Sequence, residues 1–294
     1  MASRSTRRPR RLVALLALSL GGAALARQAF VVGPDSLVVV EYGIDLPSWP
    51  AALNGFRIAA VGDLHAGAPF IDEAKLAQVV RQVTASKPDL IVWLGDYVIH
   101  GVAGGRFMEP EKVATILSAA RARYGEIAII GNHDRWLDAP RVERAFQSAG
   151  IVFLRRKTED LHLNGVTLHV HGLDDFEGVP NYWRSVDEAK QAWARLPLEE
   201  PILVLSHSPD IFPWIPKRVT LTLASHTHGG QVSLPFFGSL IVPSAFGQRF
   251  ARGHIVEEGR HLFVNTGIGT SIIPVRFGVP PEISILTLRA QTPH

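Results

Sequence analysis

Short apolar runs bounded by glycine, proline and acidic residues recur along the chain from residue 57 onward. Runs of this length with turn residues at both ends are typical of strands in a folded core. We predict strands at residues 57–61, 90–94, 127–130, 166–170, 202–205, 219–224, 262–264 and 283–288.

Two stretches between the early strands carry apolar residues at the spacing i, i+3, i+4 and i+7, which places them on one face of a helix. The two sets are Leu76, Val79, Val80, Val83 and Val113, Ile116, Leu117, Ala120. Alternating strands and helices predict a largely parallel sheet covered by helices, and the strand-rich second half predicts a second sheet packed on the first. We therefore expect one α/β domain at residues 57–290, a four-layer αββα sandwich of two mixed sheets flanked by helices.

The first 26 residues form a separate segment. They carry five arginines and no acid, and an uncharged run at residues 12–26 ends Ala24-Leu25-Ala26. This order is typical of a signal peptide. The fifteen-residue run is shorter than the about 20 residues of a bilayer span, so a cleaved signal and a retained membrane anchor both stay open. Either one places the catalytic body in the periplasm or cell envelope, because the arginines stay inside. Residues 27–56 are a lead-in segment.

Charge and cysteine content narrow the function further. The net charge of +3 comes from the first segment, since the rest of the chain has 25 basic and 27 acidic side chains. A slightly acidic body lacks the basic surface expected of a nucleic-acid-binding protein, so we expect no nucleic-acid partner. The chain has no cysteine, which excludes thiolate ligands and a cysteine nucleophile. Any metal site must use oxygen and nitrogen.

Five of the predicted strands are followed closely by Asp, Asn or His. In α/β folds such residues collect at the carboxyl ends of strands, where ligands bind. One motif alone is also compatible with a helix cap or a turn, but a series of five indicates a site. Seven oxygen and nitrogen donors are too many for one tetrahedral ion, and two ions that share a bridging carboxylate fit the number. The donors are Asp63, His65, Asp96, Asn132, His207, His226 and His228.

The motifs GDLHAG, LGDYV, GNHD, LSHSPD and SHTHGGQ resemble those of the calcineurin-like metallophosphoesterase superfamily. The later motifs GGQVSLP, NTGIGTS and PVRFGVPPEISILTL are similar to its bacterial YkuE/YaeI-type branch. That branch includes exported or membrane-associated phosphodiesterases and a relative that cleaves the pyrophosphate of a lipid A precursor.

The resemblance implies a role for each donor. Asp63, His65 and His228 hold the first metal, Asp96 bridges, and Asn132, His207 and His226 hold the second. It also implies in-line attack by metal-activated water, with His133 facing the substrate as the acid for the leaving group.

The chain departs from the protein phosphatases of this superfamily. Those carry Gly-Asp-x-x-Asp-Arg, whose last two residues correspond here to Ile99 and His100. This argues against phosphoprotein substrates and leaves the partner of His133 open. Asp134 is next to His133 in sequence, but we assign it no catalytic role.

We therefore expect hydrolysis of a phosphodiester or pyrophosphate bond in an envelope or lipid-linked substrate, with membrane association. A broad phosphomonoesterase, a catalytically weak metal-binding envelope module and a dinuclear oxidoreductase are the alternatives. Manganese, iron, cobalt, nickel and zinc all suit the donors, and the oligomeric state stays open.

Several other residues have two interpretations. Arg249 and Arg252 are either solvated or meet a second phosphate, and we favour solvation. We interpret Asp174-Asp175 as a turn. A further aromatic-rich set could form an apolar lip for a lipidic substrate, but we favour ordinary packing under a loop. The set is Pro235, Phe236, Phe237, Phe246 and Phe250.

Overall fold

The computed structural model describes residues 7–174 and 183–291. Fourteen strands lie in these ranges. They are β1 (Val38–Leu46), β2 (Phe56–Val61), β3 (Leu90–Trp93), β4 (Glu126–Ala128), β5 (Val152–Phe153), β6 (Lys157–Leu163), β7 (Val166–Gly172), β8 (Ile202–Leu205), β9 (Leu221–Ala224), β10 (Ser233–Leu234), β11 (Gly238–Ser239), β12 (Gly253–Glu257), β13 (Arg260–Val264) and β14 (Glu282–Ala290).

Five helices accompany the strands in the same ranges. They are α1 (Arg7–Arg27), α2 (Glu73–Ala85), α3 (Pro110–Leu117), α4 (Asn132–Ser148) and α5 (Trp183–Trp193). Short 3₁₀ turns occur at Ala51–Leu53, Pro209–Trp214, His228–Gly230 and Gly247–Phe250. Asp175 of the predicted Asp174-Asp175 turn lies outside the described residues.

Both large sheets are mixed. The first has the order β1-β14-β2-β3-β4-β5, with β14 antiparallel to β2 and the other neighbours parallel. The second has the order β12-β13-β9-β8-β7-β6, parallel in its centre and antiparallel at both edges. In the first sheet β2 and β3 are parallel neighbours, and in the second sheet β8 and β9 are. The carboxyl ends of each pair therefore lie together at one edge of their sheet.

Three apolar layers hold the sheets and helices together. The middle layer, which includes Ile58, Val92 and Leu203, lies between the two sheets. One outer layer packs α2, α3 and α4 on the first sheet. The other packs α5 and the turn Pro209–Trp214 on the second sheet. The predicted four-layer αββα sandwich is confirmed.

The helical pattern predicted α2 correctly and α3 in part, because α3 ends at Leu117 and the predicted position Ala120 lies beyond it. Leu76, Val79, Val80 and Val83 are all buried on α2, and Pro110 occupies the first turn of α3, where its missing N–H is not needed.

The sequence analysis missed β1. This edge strand pairs with β14 along its whole length, and only alternate residues near its end, Ile44 and Leu46, are fully buried. It begins with the apolar run at residues 38–40, a signal that the sequence analysis did not use, and its later apolar residues alternate with Glu41, Gly43 and Asp45. The strand nevertheless brings part of the lead-in segment into the first sheet.

The amino-terminal helix is longer than the predicted apolar run. Helix α1 continues through Gln28–Val32 and Gly33–Asp35. The stretch Ala14–Asp35 has 22 residues, and its most apolar window has a mean hydropathy of 1.6 and no buried residue. By length and composition this helix can cross a membrane.

Burial along β1 gives a test of its place in the fold. Ile44→Ala removes a fully buried side chain and should lower the free energy of unfolding by about 2–4 kcal/mol. The matched control is Val39→Ala, since Val39 is 39% exposed on the same strand and should change it by less than about 0.5 kcal/mol. Urea denaturation of both variants measures the difference. Equal losses would show that β1 does not pack as described.

Candidate metal and active site

All seven predicted ligands and His133 lie together where strands of both sheets end. Asp63 and His65 follow β2, Asp96 follows β3, and His207 follows β8. Asn132 and His133 occupy the first turn of α4, and His226 and His228 follow β9. All are buried except His226, which is partly exposed. Two facing sheets therefore contribute to one cluster.

The backbone at these strand ends adopts the left-handed conformation unusually often. Thirteen non-glycine residues in the described ranges have a positive φ, and five of them belong to the cluster. Left-handed conformations are costly for L-residues and concentrate at functional sites. Each changes the course of the chain as it leaves a strand, and the side chains of Asp63 and His65 converge on one cluster. The five are Asp63, His65, Asp96, His226 and His228.

The first group consists of Asp63, His65 and His228, whose ligand atoms lie within 4.8 Å of one another. The Nε2 atoms of His65 and His228 are 3.1 Å apart, and His228 Nε2 is 3.9 Å from Asp63 Oδ1. The Ser225 hydroxyl and the His226 N–H donate to Asp63 Oδ2. Asp63 Oδ1 is thereby turned toward the two imidazoles.

The second group consists of Asn132, His207 and His226. His207 Nε2 lies 3.0 Å from Asn132 Oδ1 and 3.3 Å from His226 Nδ1. His207 Nδ1 is 2.7 Å from the Leu94 carbonyl oxygen, which requires a proton on Nδ1. Nε2 then presents its lone pair to the cluster, as a metal-binding histidine does.

Asp96 lies between the two groups. Its Oδ2 is 3.7 Å from His65 Nε2 and 3.3 Å from His207 Nε2, while Oδ1 accepts the His133 N–H at 2.8 Å. Gly131 makes this approach possible, because a Cβ at that position would lie 2.2 Å from Asp96 Oδ1. The carboxylate therefore faces both groups with one oxygen.

The electrostatics of the cluster fit divalent cations. Burial raises the pKa of Asp63 to about 6, and the nearby Asp96 adds to the rise. Burial also lowers the pKa of His65 and of His226 to about 3. The imidazoles of His65 and His226 are thus neutral, which is the form that binds metal. Two buried carboxylates among neutral imidazoles require positive charge, so the donors of this site can hold metal ions.

His133 lies beside both groups, and one of its ring nitrogens is within 4.8 Å of ligand atoms of His65 and Asp96. Its ring centroid is 4.6 Å from that of His65 and 4.8 Å from that of Trp136, and its Nε2 is 3.9 Å from Asp96 Oδ2. The His100 ring is 6.1 Å away. His133 is 7% exposed, and burial lowers its pKa. Its ring is therefore a neutral group at the mouth of the site.

Comparison with known proteins agrees with this geometry. The profile of the calcineurin-like phosphoesterase family matches residues 56–240. The chain belongs to the calcineurin-like phosphoesterase family. It is 31% identical over 274 residues to the metallophosphoesterase YkuE of Bacillus subtilis, covering 92% of this chain and 91% of that protein. The protein is thus a metal-dependent hydrolase of phosphoric esters, and the suspected branch is confirmed.

Two relatives have more specific names. The chain is 28% identical to the phosphodiesterase YaeI of Escherichia coli, covering 79% of this chain and 82% of that protein. It is 26% identical to the UDP-2,3-diacylglucosamine pyrophosphatase LpxG of Chlamydia trachomatis, covering 86% of this chain and 89% of that protein.

Asp134 positions the backbone of the candidate site, a role that its sequence motif did not indicate. Its carboxylate accepts the backbone N–H groups of Asp96 at 2.8 Å, Tyr97 at 2.9 Å and Gly131 at 3.0 Å. These bonds join the loop after β3 to the start of α4. Asp134 therefore fixes the backbone that carries Asp96 and Asn132.

Arg276 is a second positioning residue that sequence reasoning missed. The guanidinium is fully buried and donates to the carbonyl oxygens of Thr266, Gly267 and Gly269. Its Nη2 is 3.4 Å from His228 Nδ1. Burial lowers the pKa of Arg276 to about 10, so it stays charged at neutral pH. An arginine surrounded in sequence by apolar residues was the signal that could have revealed it.

The loop that Arg276 holds supports two metal-site residues from behind. A Cβ at Gly267 would lie 2.6 Å from Asp63 Cβ, and one at Gly269 would lie 2.9 Å from His65 Cβ. The loop therefore packs directly against the first group.

For several of the residues with two interpretations, the structure decides between them. Arg249 forms an ion pair with Glu257 at 2.6 Å. Phe250 is buried and Phe246 packs on the same core, as we favoured. The prediction of ordinary packing is wrong for Phe236 and Phe237, whose side chains are strongly exposed. Asp174 pairs with Arg135 and Arg155.

Loss of the Arg276 guanidinium should destabilise the protein. Arg276→Met leaves several buried carbonyl groups without donors and should lower the free energy of unfolding by about 3 kcal/mol. The matched control is Arg252→Met, which removes an exposed guanidinium. This variant should lower the free energy of unfolding by less than about 0.5 kcal/mol. Thermal and urea denaturation compare the two. Similar values would show that the buried bonds of Arg276 do not hold the loop.

Proposed function

We propose that this phosphoesterase hydrolyses a phosphodiester or pyrophosphate bond of an envelope or lipid-linked substrate at a site for two divalent cations. The position of Asp96 carries the proposal. One carboxylate oxygen faces His65 of the first group and His207 of the second, as a bridging ligand must.

The seven donors would hold the ions. Asp63, His65 and His228 would bind the first, and Asn132, His207 and His226 the second, with Asp96 shared. Two bound cations lower the pKa of water and neutralise charge on the phosphoryl oxygens. The donor set suits manganese, iron, cobalt, nickel or zinc.

His133 would supply the proton for the leaving group. Its backbone N–H is bonded to Asp96, so its position is fixed relative to the shared ligand. Packing against His65 and Trp136 fixes the ring plane. The lowered pKa of His133 matches an acid that gains its proton when a phosphate anion is beside it.

The surroundings of His133 favour a diester over a monoester. The residues that correspond to the carboxylate and guanidinium of the protein phosphatases are Ile99 and His100, and His100 is exposed. A terminal dianionic phosphate therefore lacks that arginine clamp. The relatives YaeI, a phosphodiesterase, and LpxG, a pyrophosphatase, support the same choice.

The amino-terminal helix supports an envelope location. The stretch Ala14–Asp35 contains an apolar, exposed window. Five arginines precede this stretch in the sequence. The positive-inside bias would keep these arginines in the cytoplasm and place the sandwich on the other side.

Replacing His133 tests the assigned acid. His133→Asn should slow hydrolysis of an alkyl phosphodiester by about 10² to 10⁴, with unchanged metal content. The loss should shrink for a nitrophenyl ester, because nitrophenolate leaves without a proton. His100→Asn is the control, and any loss there should not depend on the leaving group. If the His133→Asn loss is equal for both esters, His133 positions the substrate instead.

The location is tested with a reporter enzyme that is active only outside the cytoplasm. Fused to the carboxyl terminus, it should be active with the full chain and inactive when residues 1–26 are deleted, because export requires that segment. Immunoblots must show equal amounts of the two fusions. A silent full-length fusion would place the enzyme in the cytoplasm.

A further inference from the structure

Exposed hydrophobic side chains are concentrated on two neighbouring loops of the sandwich. Twelve large hydrophobic residues from Val39 onward are exposed in the described ranges, and half of them lie in residues 236–241 and 272–273. We call these six the apolar rim. They are Phe236, Phe237, Leu240, Ile241, Ile272 and Ile273. Contiguous apolar surface of this kind marks an interaction site.

The apolar rim lies beside the metal-binding cluster. The Gln231 N–H donates to the His228 carbonyl oxygen at 3.0 Å. The Gln231 side chain donates to the carbonyl oxygens of Ser271 and Ile273 and accepts the Ser271 N–H. One glutamine thus joins the chain just after His228 to the second loop of the rim.

Two rim residues have an unfavourable backbone conformation. Phe236 has φ of 68° and Ile272 has φ of 61°, a region that bulky and β-branched residues rarely adopt. Such strain costs about 1–3 kcal/mol per residue. The Phe236 side chain is fully exposed and that of Ile272 is 71% exposed, so packing within the chain does not offset this cost. The loops hold hydrophobic side chains outward.

The apolar amino-terminal helix ends at the same place. The Arg276 N–H donates to the Ala29 carbonyl oxygen at 2.9 Å. A Cβ at Gly33 would lie 2.0 Å from the Arg276 carbonyl oxygen. Arg276 is three residues beyond Ile273, and the exposed Phe30 and Val31 lie between the two contact points. The rim therefore borders the end of a helix that is apolar enough to enter a membrane.

The charge of the rim segments is one-sided. Residues 231–256 and 261–281 contain no Asp or Glu, and their charged side chains are Arg249, Arg252 and Arg276. The acidic side chains that contact these segments are bonded within the chain: Asp210 accepts from Ser244 and Ala245, and Glu257 pairs with Arg249. The six rim side chains carry no charge, which suits insertion at the membrane interface.

We propose that the apolar rim inserts into the surface of the same membrane that holds α1. The bilayer would cover the exposed side chains, and the metal site would open at the level of the lipid headgroups. This deepens the proposed function, since the phosphoester would be reached while its lipid stays in the membrane. Insertion itself requires only the rim and α1.

The absence of cysteine makes a direct test possible. Phe236→Cys and Ile272→Cys in the full chain are labelled with the fluorophore NBD. The labelled proteins are reconstituted into vesicles of phosphatidylethanolamine and phosphatidylglycerol. Leu198→Cys is the matched control, because Leu198 is 82% exposed and precedes the amino end of β8, away from the site.

Insertion predicts a blue-shifted emission at positions 236 and 272 and quenching by lipids brominated in their acyl chains, with neither effect at position 198. An emission at all three positions equal to that in buffer would overturn the proposal. A blue shift without quenching by brominated lipid would also overturn it, because the rim would then be covered by protein, such as a second copy of the chain.

Turnover separates this proposal from the proposed function. The labelled variants should hydrolyse the soluble ester bis(para-nitrophenyl) phosphate as well as the unlabelled protein does, because the rim carries no metal ligand. If the unlabelled protein has no turnover with any metal, the proposed function fails, whereas the lipid quenching still decides the insertion.

Discussion

Burial of two carboxylates among neutral imidazoles is the constraint on which the rest of this structure depends. Asp63 and Asp96 have almost no exposed surface, and the histidines around them have lowered pKa values because they are buried. Negative charge in such surroundings is costly unless cations balance it. The fold brings together donor atoms from both sheets that could hold metal ions.

The protein builds this cluster with its backbone as much as with its side chains. Left-handed residues at the strand ends turn the ligands inward, and Gly131 and Gly267 leave room for close approach. Asp134 holds one side of the cluster through backbone N–H groups, and Arg276 holds the other through backbone carbonyls. These two groups keep the ligands in place, which is what a preorganised hydrolytic site needs.

The sequence predicted those parts of the protein that depend on local patterns. Apolar runs gave the central strands, and polar residues after them gave the ligand cluster, because carboxyl ends of parallel strands meet. The edge strand β1 was missed since it buries only alternate residues. Arg276 and Asp134 were missed because they act through backbone carbonyl and N–H groups, which leave no side-chain motif in the sequence. Phe236 could not be distinguished from a packed aromatic without the fold. Contacts of this kind depend on tertiary structure.

We propose that the carboxylate of Asp96 joins two metal positions. Crystals of the metal-loaded protein should show two anomalous scattering peaks, one beside Asp63, His65 and His228 and one beside Asn132, His207 and His226, with Asp96 in contact with both. Elemental analysis should give two ions per chain, and Asp96→Asn should lower the occupancy of both positions together. A single peak, or an Asp96→Asn protein that keeps both ions, would contradict the bridging role of Asp96.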